Sequence, residues 1–170
     1  MKRLFIVITA ILIGCATASA QQKGDKYFGG MAGIIMEASD GGFGIGFAIE
    51  SEFGGFVADN CKLGASIGYS FSSGMHILTA SPNFAYYVRL CDGMYYTPGI
   101  EAGFVMAISG GAYPGLGVAL NLFAVEFRPT KHFGFTASLA SLNFTVLAKA
   151  GVAATANIGV NPTIGVKYYF

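Results

Sequence analysis

The sequence has 170 residues, and its only histidines are His76 and His132, the side chains best suited to general base work near neutral pH. A serine nucleophile would need one of them within hydrogen-bond reach of both a serine and an orienting acid. His76 has Ser72 and Ser73 close in sequence, but no carboxylate is placed beside it. No Cys/His spacing suits zinc, and no carboxylate-rich loop suits calcium. The glycine pairs Gly29-Gly30 and Gly110-Gly111 have no helix behind them to receive a phosphate. Catalysis, a metal and a cofactor are therefore not expected.

The other residues with chemistry to offer are charged, and their spacing is informative. Glu50, Glu52, Lys62, Arg89, Glu101 and Lys167 all fall on the polar side of an alternating pattern. Counting back from Phe170, every second residue is Tyr168, Val166, Ile164, Pro162, Val160 and Ile158. The interleaved set is Tyr169, Lys167, Gly165, Thr163, Asn161, Gly159 and Asn157. A period of two is the signature of a β-strand with two chemically different faces.

The same alternation runs through nearly the whole chain. Leu63, Ala65, Ile67, Tyr69 and Phe71 oppose Lys62, Gly64, Ser66, Gly68 and Ser70. Likewise Leu78, Ala80, Phe84, Tyr86 and Val88 oppose Thr79, Ser81, Asn83, Tyr87 and Arg89. Turn residues then mark about eight strands: 26–38, 43–57, 61–71, 76–90, 94–109, 116–128, 133–148 and 157–170. The first is glycine-rich and ambiguous. In the sixth, the row Leu116, Val118, Leu120, Leu122 runs into Glu126 and Arg128. In the seventh, the row moves from Phe135, Ala137 and Leu139 to Leu142, Phe144 and Val146, as one extra residue in a β-bulge would cause. Pro82, Pro98 and Pro162 fall inside strands and each removes a ladder donor.

Composition decides what covers the apolar faces. Charged residues make up 11% of the chain, against about 25% in an ordinary globular domain. Hydrophobic residues make up 54%, yet no run after residue 20 is long enough to cross about 30 Å of hydrocarbon as a helix. Strands must cross instead, and only a closed barrel leaves no unpaired edge in lipid. The expected fold is all-β: an eight-stranded antiparallel up-and-down transmembrane β-barrel. Its apolar row faces lipid, and its charged row fills the lumen. An even strand count puts both termini on one side, the periplasm. A barrel this small has room for its own side chains and little more. Glu52 and Lys62 flank one short turn and are candidates for a cross-strand contact.

Residues 1–20 read as a signal peptide, with Lys2 and Arg3, an apolar run, and Ala18-Ser19-Ala20 before Gln21. That leaves 21–170 as one barrel domain. Leu12-Ile13-Gly14-Cys15 offers a competing lipoprotein cleavage that would lipidate Cys15. Export exposes Cys61 and Cys91 to an oxidising compartment. Both a disulfide between them and two separate thiols remain open. The net charge of +1, with no basic cluster, gives no case for nucleic acid.

Several stretches resemble the small bacterial outer-membrane β-barrel family of OmpA/OmpX type. They are Gly54-Gly55-Phe56-Val57-Ala58-Asp59-Asn60 with Leu63 to Tyr69, then Thr97-Pro98-Gly99-Ile100, then Gly165-Val166-Lys167-Tyr168-Tyr169-Phe170. The resemblance implies localisation to the bacterial outer membrane, with outer-membrane lipid as a partner. It also implies that Ile164, Val166, Tyr168 and Phe170 form the signal read by the barrel-assembly machinery. The loops here are shorter than the family's often are, and no peptidoglycan-binding domain is expected after Phe170. A structural or interaction role follows. The rivals are a narrow pore for small solutes and a soluble lipocalin-like barrel with an apolar ligand inside, which would reverse the two faces.

Overall fold

The computed structural model describes residues 23–39, 42–148, 153–159 and 162–170. The signal peptide, Cys15 and the tip of the first turn lie outside them. Eleven strands are present: β1 (Lys26–Ser39), β2 (Gly42–Ala58), β3 (Cys61–Ser72), β4 (Met75–Tyr86), β5 (Val88–Cys91), β6 (Met94–Tyr96), β7 (Gly99–Ile108), β8 (Ala112–Phe127), β9 (Phe133–Leu147), β10 (Ala153–Gly159) and β11 (Thr163–Tyr169). All pairings are antiparallel. Three pairs of strands are interrupted staves, namely β4 with β5, β6 with β7, and β10 with β11. That leaves eight staves.

The ring closes because β11 pairs with both β1 and β9, and β9 pairs with β8. Tyr27 sits opposite Tyr169, so the first and last strands meet at one end of the barrel. The reversals at 58–61, 91–94 and 127–133 share that end. Those at 72–75 and 108–112 lie at the other. Gly93 shows why a turn selects its residue. Its φ is +74°, and a Cβ there would lie 2.8 Å from the Arg128 carbonyl oxygen. Asn60, with φ 64°, occupies the same left-handed region at the tip of the β2–β3 turn.

The prolines mark the interruptions. Pro98 separates β6 from β7, and its carbonyl accepts the Tyr86 amide at 3.0 Å. Pro162 precedes β11, and its carbonyl accepts the Ile34 amide at 3.3 Å. Pro82 stays inside β4, paired to Ala65, while the ladder to β7 lapses between Ala80 and Asn83. Two boundaries differ from the sequence expectation. β8 begins at Ala112, so Pro114 is within the strand, opposite Met106. The stretch through Ala156 contains the start of β10 instead of a loop. In both places, pairing to a neighbouring strand overrides local turn composition.

The bulge lies in both staves where the apolar row breaks. Between β8 and β9 the pairing slips at Phe123 opposite Ala140. Leu122 and Phe123 are consecutive and both point out, after which Val125 and Phe127 continue the outer row. Glu126 is thereby turned inward and is fully buried.

The two faces are now assigned. Ile67, Leu116 and Ile164 expose 63%, 68% and 73% of their surface, while Glu52, Lys62 and Lys167 are buried. The apolar row is outside. This overturns the soluble lipocalin-like alternative, which needs Ile67, Phe84 and Ile164 to pack inward.

Candidate functional site

The interior near the termini is filled by one connected cluster of acids, bases and tyrosines. Glu52 comes from β2, Lys62 from β3, Glu126 from β8 and Lys167 from β11. Glu52 forms an ion pair with Lys62 and a second, at 3.3 Å, with Lys167. Lys167 also reaches Glu126 at 3.4 Å. Because β2 and β8 are not neighbours in the ring, Lys167 ties opposite walls together across the lumen. Arg128 approaches Glu126 at 3.9 Å and lies 3.5 Å over the Tyr169 ring.

Tyrosine hydroxyls complete the carboxylates. Tyr27 donates to Glu52 at 2.9 Å, Tyr87 donates to Glu126 at 2.8 Å, and Tyr169 donates to the other Glu126 oxygen. Their rings pack with Phe56 and Tyr95 into the most enclosed apolar cluster of the described residues. Phe56 and Tyr87 meet edge to face at 5.0 Å. Buried charges are tolerable only when paired and hydrogen-bonded, and here each carboxylate has at least three partners. The result is a plug across one end of the barrel. Glycines make room for it. A Cβ at Gly134 would lie 2.8 Å from Glu126 Oε1, and one at Gly29 would lie 2.7 Å from the Lys167 Cγ.

Beyond the plug, Glu50 and Glu101 sit among hydroxyls and amides, with Ser66 donating to Glu101. A cavity of about 280 Å³ runs from the Glu52, Lys62 and Lys167 floor up to Ser70, Asn143 and Thr163. Among the described residues, no three His, Cys, Asp or Glu side chains converge as a metal site.

The residues singled out from sequence divide into groups. Glu52, Lys62 and Lys167 join the plug, and Glu50 and Glu101 line the cavity above it. Arg89 does neither. It is partly exposed and pairs with Asp92 in the following turn, so it caps the rim instead of filling the lumen. Cys61 and Cys91 are free thiols, and the disulfide alternative is not formed. Ile164, Val166, Tyr168 and Phe170 form one exposed outer row. Tyr168 stacks on His132 and meets Phe133 and Phe170 edge to face at 5.3 and 5.2 Å. His132 donates from Nδ1 to the Tyr169 carbonyl at 3.0 Å. His76 contacts the Tyr69 hydroxyl at 2.9 Å near the opposite end, so the two histidines share no site.

Sequence reasoning missed Glu126 and Arg128 because the bulge that turns them inward has no local marker in β8. It also passed over the inward tyrosines. Tyr87, Tyr95 and Tyr169 do fall on the polar row, and that position was the available signal.

No protein family and no curated protein sequence matches the chain. Solved structures do. Neisserial surface protein A aligns over 87% of this chain and 100% of its own, with a TM-score of 0.59 at 14% identity. The chain has the fold of the small transmembrane β-barrels. The N-terminal β-barrel domain of Pseudomonas aeruginosa OprF aligns over 89% of this chain and 100% of its own, with a TM-score of 0.53 at 15% identity. The outer membrane protein OprG from the same species aligns over 89% and 98%, with a TM-score of 0.52 at 13% identity. At these identities the barrel architecture is what is shared.

Proposed function

We propose that this barrel is an integral protein of a bacterial outer membrane, exported by a signal peptide cleaved after Ala20, with a structural or interaction role and no through-channel. The apolar belt carries the membrane part of this reading. Monomeric soluble proteins rarely expose contiguous apolar patches beyond a few hundred Å², whereas here every stave presents its large apolar residues outward. The plug of Glu52, Lys62, Glu126, Lys167 and the tyrosines supports the absence of conduction, since its side chains are almost wholly buried. The outer row Ile164, Val166, Tyr168 and Phe170 fits recognition by the assembly machinery, as it lies on the strand that closes the ring against β1.

Fractionation with gel migration tests the membrane placement. The protein should require detergent for extraction and migrate faster unboiled than boiled. Extraction by water with unchanged migration would refute it. The mature protein should begin at Gln21, while a lipidated Cys15 at the N-terminus would support the competing cleavage. Planar-bilayer recording of refolded protein should show no steady conductance, and reproducible conductance steps would favour the pore.

A further inference from the structure

The outward row of β2 reads Ile45, Phe47, Ile49, Ser51, Phe53, Gly55 and Val57, so a serine stands at its centre. Ser51 is exposed, and its hydroxyl makes no hydrogen bond among the described residues. No other stave carries a serine, a threonine or a charged residue in the middle of its outer row among the described residues. Tyr69 and Tyr96 also lie on that row, but their hydroxyls reach His76 and the Leu122 carbonyl. Hydrocarbon offers a hydroxyl neither a donor nor an acceptor, so an unpaired one at this height is unfavourable.

The residue opposite Ser51 in β1 is Gly30. A Cβ there would meet nothing nearer than the Glu50 carbonyl oxygen at 3.8 Å, whereas at Gly29 and Gly54 it would lie 2.7 and 2.4 Å from a neighbour. The packing of the barrel itself therefore does not require glycine at this position. Glycine inside a strand costs conformational entropy, and it often marks where another backbone approaches closely. Gly30 and Ala32 open onto a shallow apolar hollow bounded by Ile164, Val166, Phe135 and Phe127.

We propose that this face, centred on Ser51 and Gly30, pairs with a second copy of the chain. The partner must itself cross hydrocarbon and bring a hydrogen-bonding group to mid-height. A hydroxyl both donates and accepts. Ser51 thus complements the same residue of a copy related by a twofold axis along the membrane normal, as an isologous interface requires. Gly30 lets the two walls come close enough for that bond, as small residues do between membrane helices. A lipid chain would cover the hollow and leave the hydroxyl unpaired. The proposal rests on the reading that the outer face meets hydrocarbon.

The experiment is sedimentation equilibrium of the refolded full-length barrel in density-matched micelles, at rising protein-to-detergent ratio. A monomer–dimer equilibrium is expected. Ser51→Ala should weaken association by at least about threefold, and Gly30→Leu by at least about tenfold. Ala102→Leu, on the outer face of β7 three staves away, should leave association unchanged. A second measurement uses a chain carrying Cys15→Ser, Cys61→Ser and Cys91→Ser. In it, Ser51→Cys should give a disulfide-linked dimer under copper phenanthroline, and Ala102→Cys should not. A heat-shifted barrel that stays monomeric at every ratio, or that crosslinks equally through both positions, would overturn the proposal and leave the membrane placement standing. Extraction by water would overturn both.

Discussion

Replacing Glu126 by alanine should destabilise the barrel more than any other single truncation inside the plug. The side chain is fully buried and receives Tyr87, Tyr169, Lys167 and Arg128. Removing one member of a buried ion pair costs about 3–5 kcal/mol, because the partner stays behind in a dry site. Lys167 keeps Glu52 at 3.3 Å, which lowers that cost. Two stranded tyrosine hydroxyls raise it by about 1–3 kcal/mol each. These effects share partners and do not add, so a loss of about 4 kcal/mol is expected. Glu126→Gln keeps an acceptor oxygen and should lose about half as much. The double variant Glu126→Met, Lys167→Met removes both charges and fills the space, and Glu52 retains Lys62. It should recover to within about 2 kcal/mol of the parent. The chain has no tryptophan, so urea unfolding of the refolded barrel is best followed by far-UV circular dichroism and by the migration shift. The reasoning fails if Glu126→Ala unfolds within about 1 kcal/mol of the parent, or if the double variant is weaker than the single one.

Three further outcomes are expected. Gly134→Ala should cost about 1–3 kcal/mol in the same unfolding assay, since the new methyl lies 2.8 Å from Glu126 Oε1 and 3.2 Å from the Tyr169 ring. Ile67→Lys on the outer face should cost about 2–4 kcal/mol in a bilayer, while Ser70→Lys on the inner face should cost less than about 1 kcal/mol; equal costs would contradict the assignment of faces. In the folded protein Cys91, which is exposed, should react with a maleimide faster than the half-buried Cys61, as mass spectrometry of the labelled peptides would show.

Most of the fold could be derived from the sequence because lipid outside and polar groups inside impose a strict period of two. Glu52, Lys62 and Lys167 were found this way, since each falls on the polar side of a strand whose other side is an apolar row. The method failed wherever the period slipped. Glu126 and Arg128 sit beyond Leu122-Phe123, where two adjacent residues share a face, and nothing in those two side chains announces it. Arg89 obeyed the period but lies so near the turn that Asp92 captures it. Facing alone also said nothing about partners. That Lys167 joins Glu52 to Glu126 depends on which staves stand opposite each other, a property of ring closure.

The paired irregularity of β8 and β9 has a consequence for how this chain tolerates change. Both strands reverse phase at the same height, and Gly115 opposite Leu147 keeps the same offset as Phe127 opposite Phe135. Substitutions at Leu122 or Phe123 leave that offset alone. Losing one of these residues would leave β8 in plain alternation with Glu126 and Arg128 still facing inward, and would leave the extra residue of β9 unmatched as a one-sided bulge. A matching loss at Leu139 or Ala140 would remove that bulge and give an unbroken ladder, because each strand carries one odd step at this height. At this height the wall can therefore shorten by one residue in each strand together, while elsewhere a single loss reverses the faces and length change is confined to the turns.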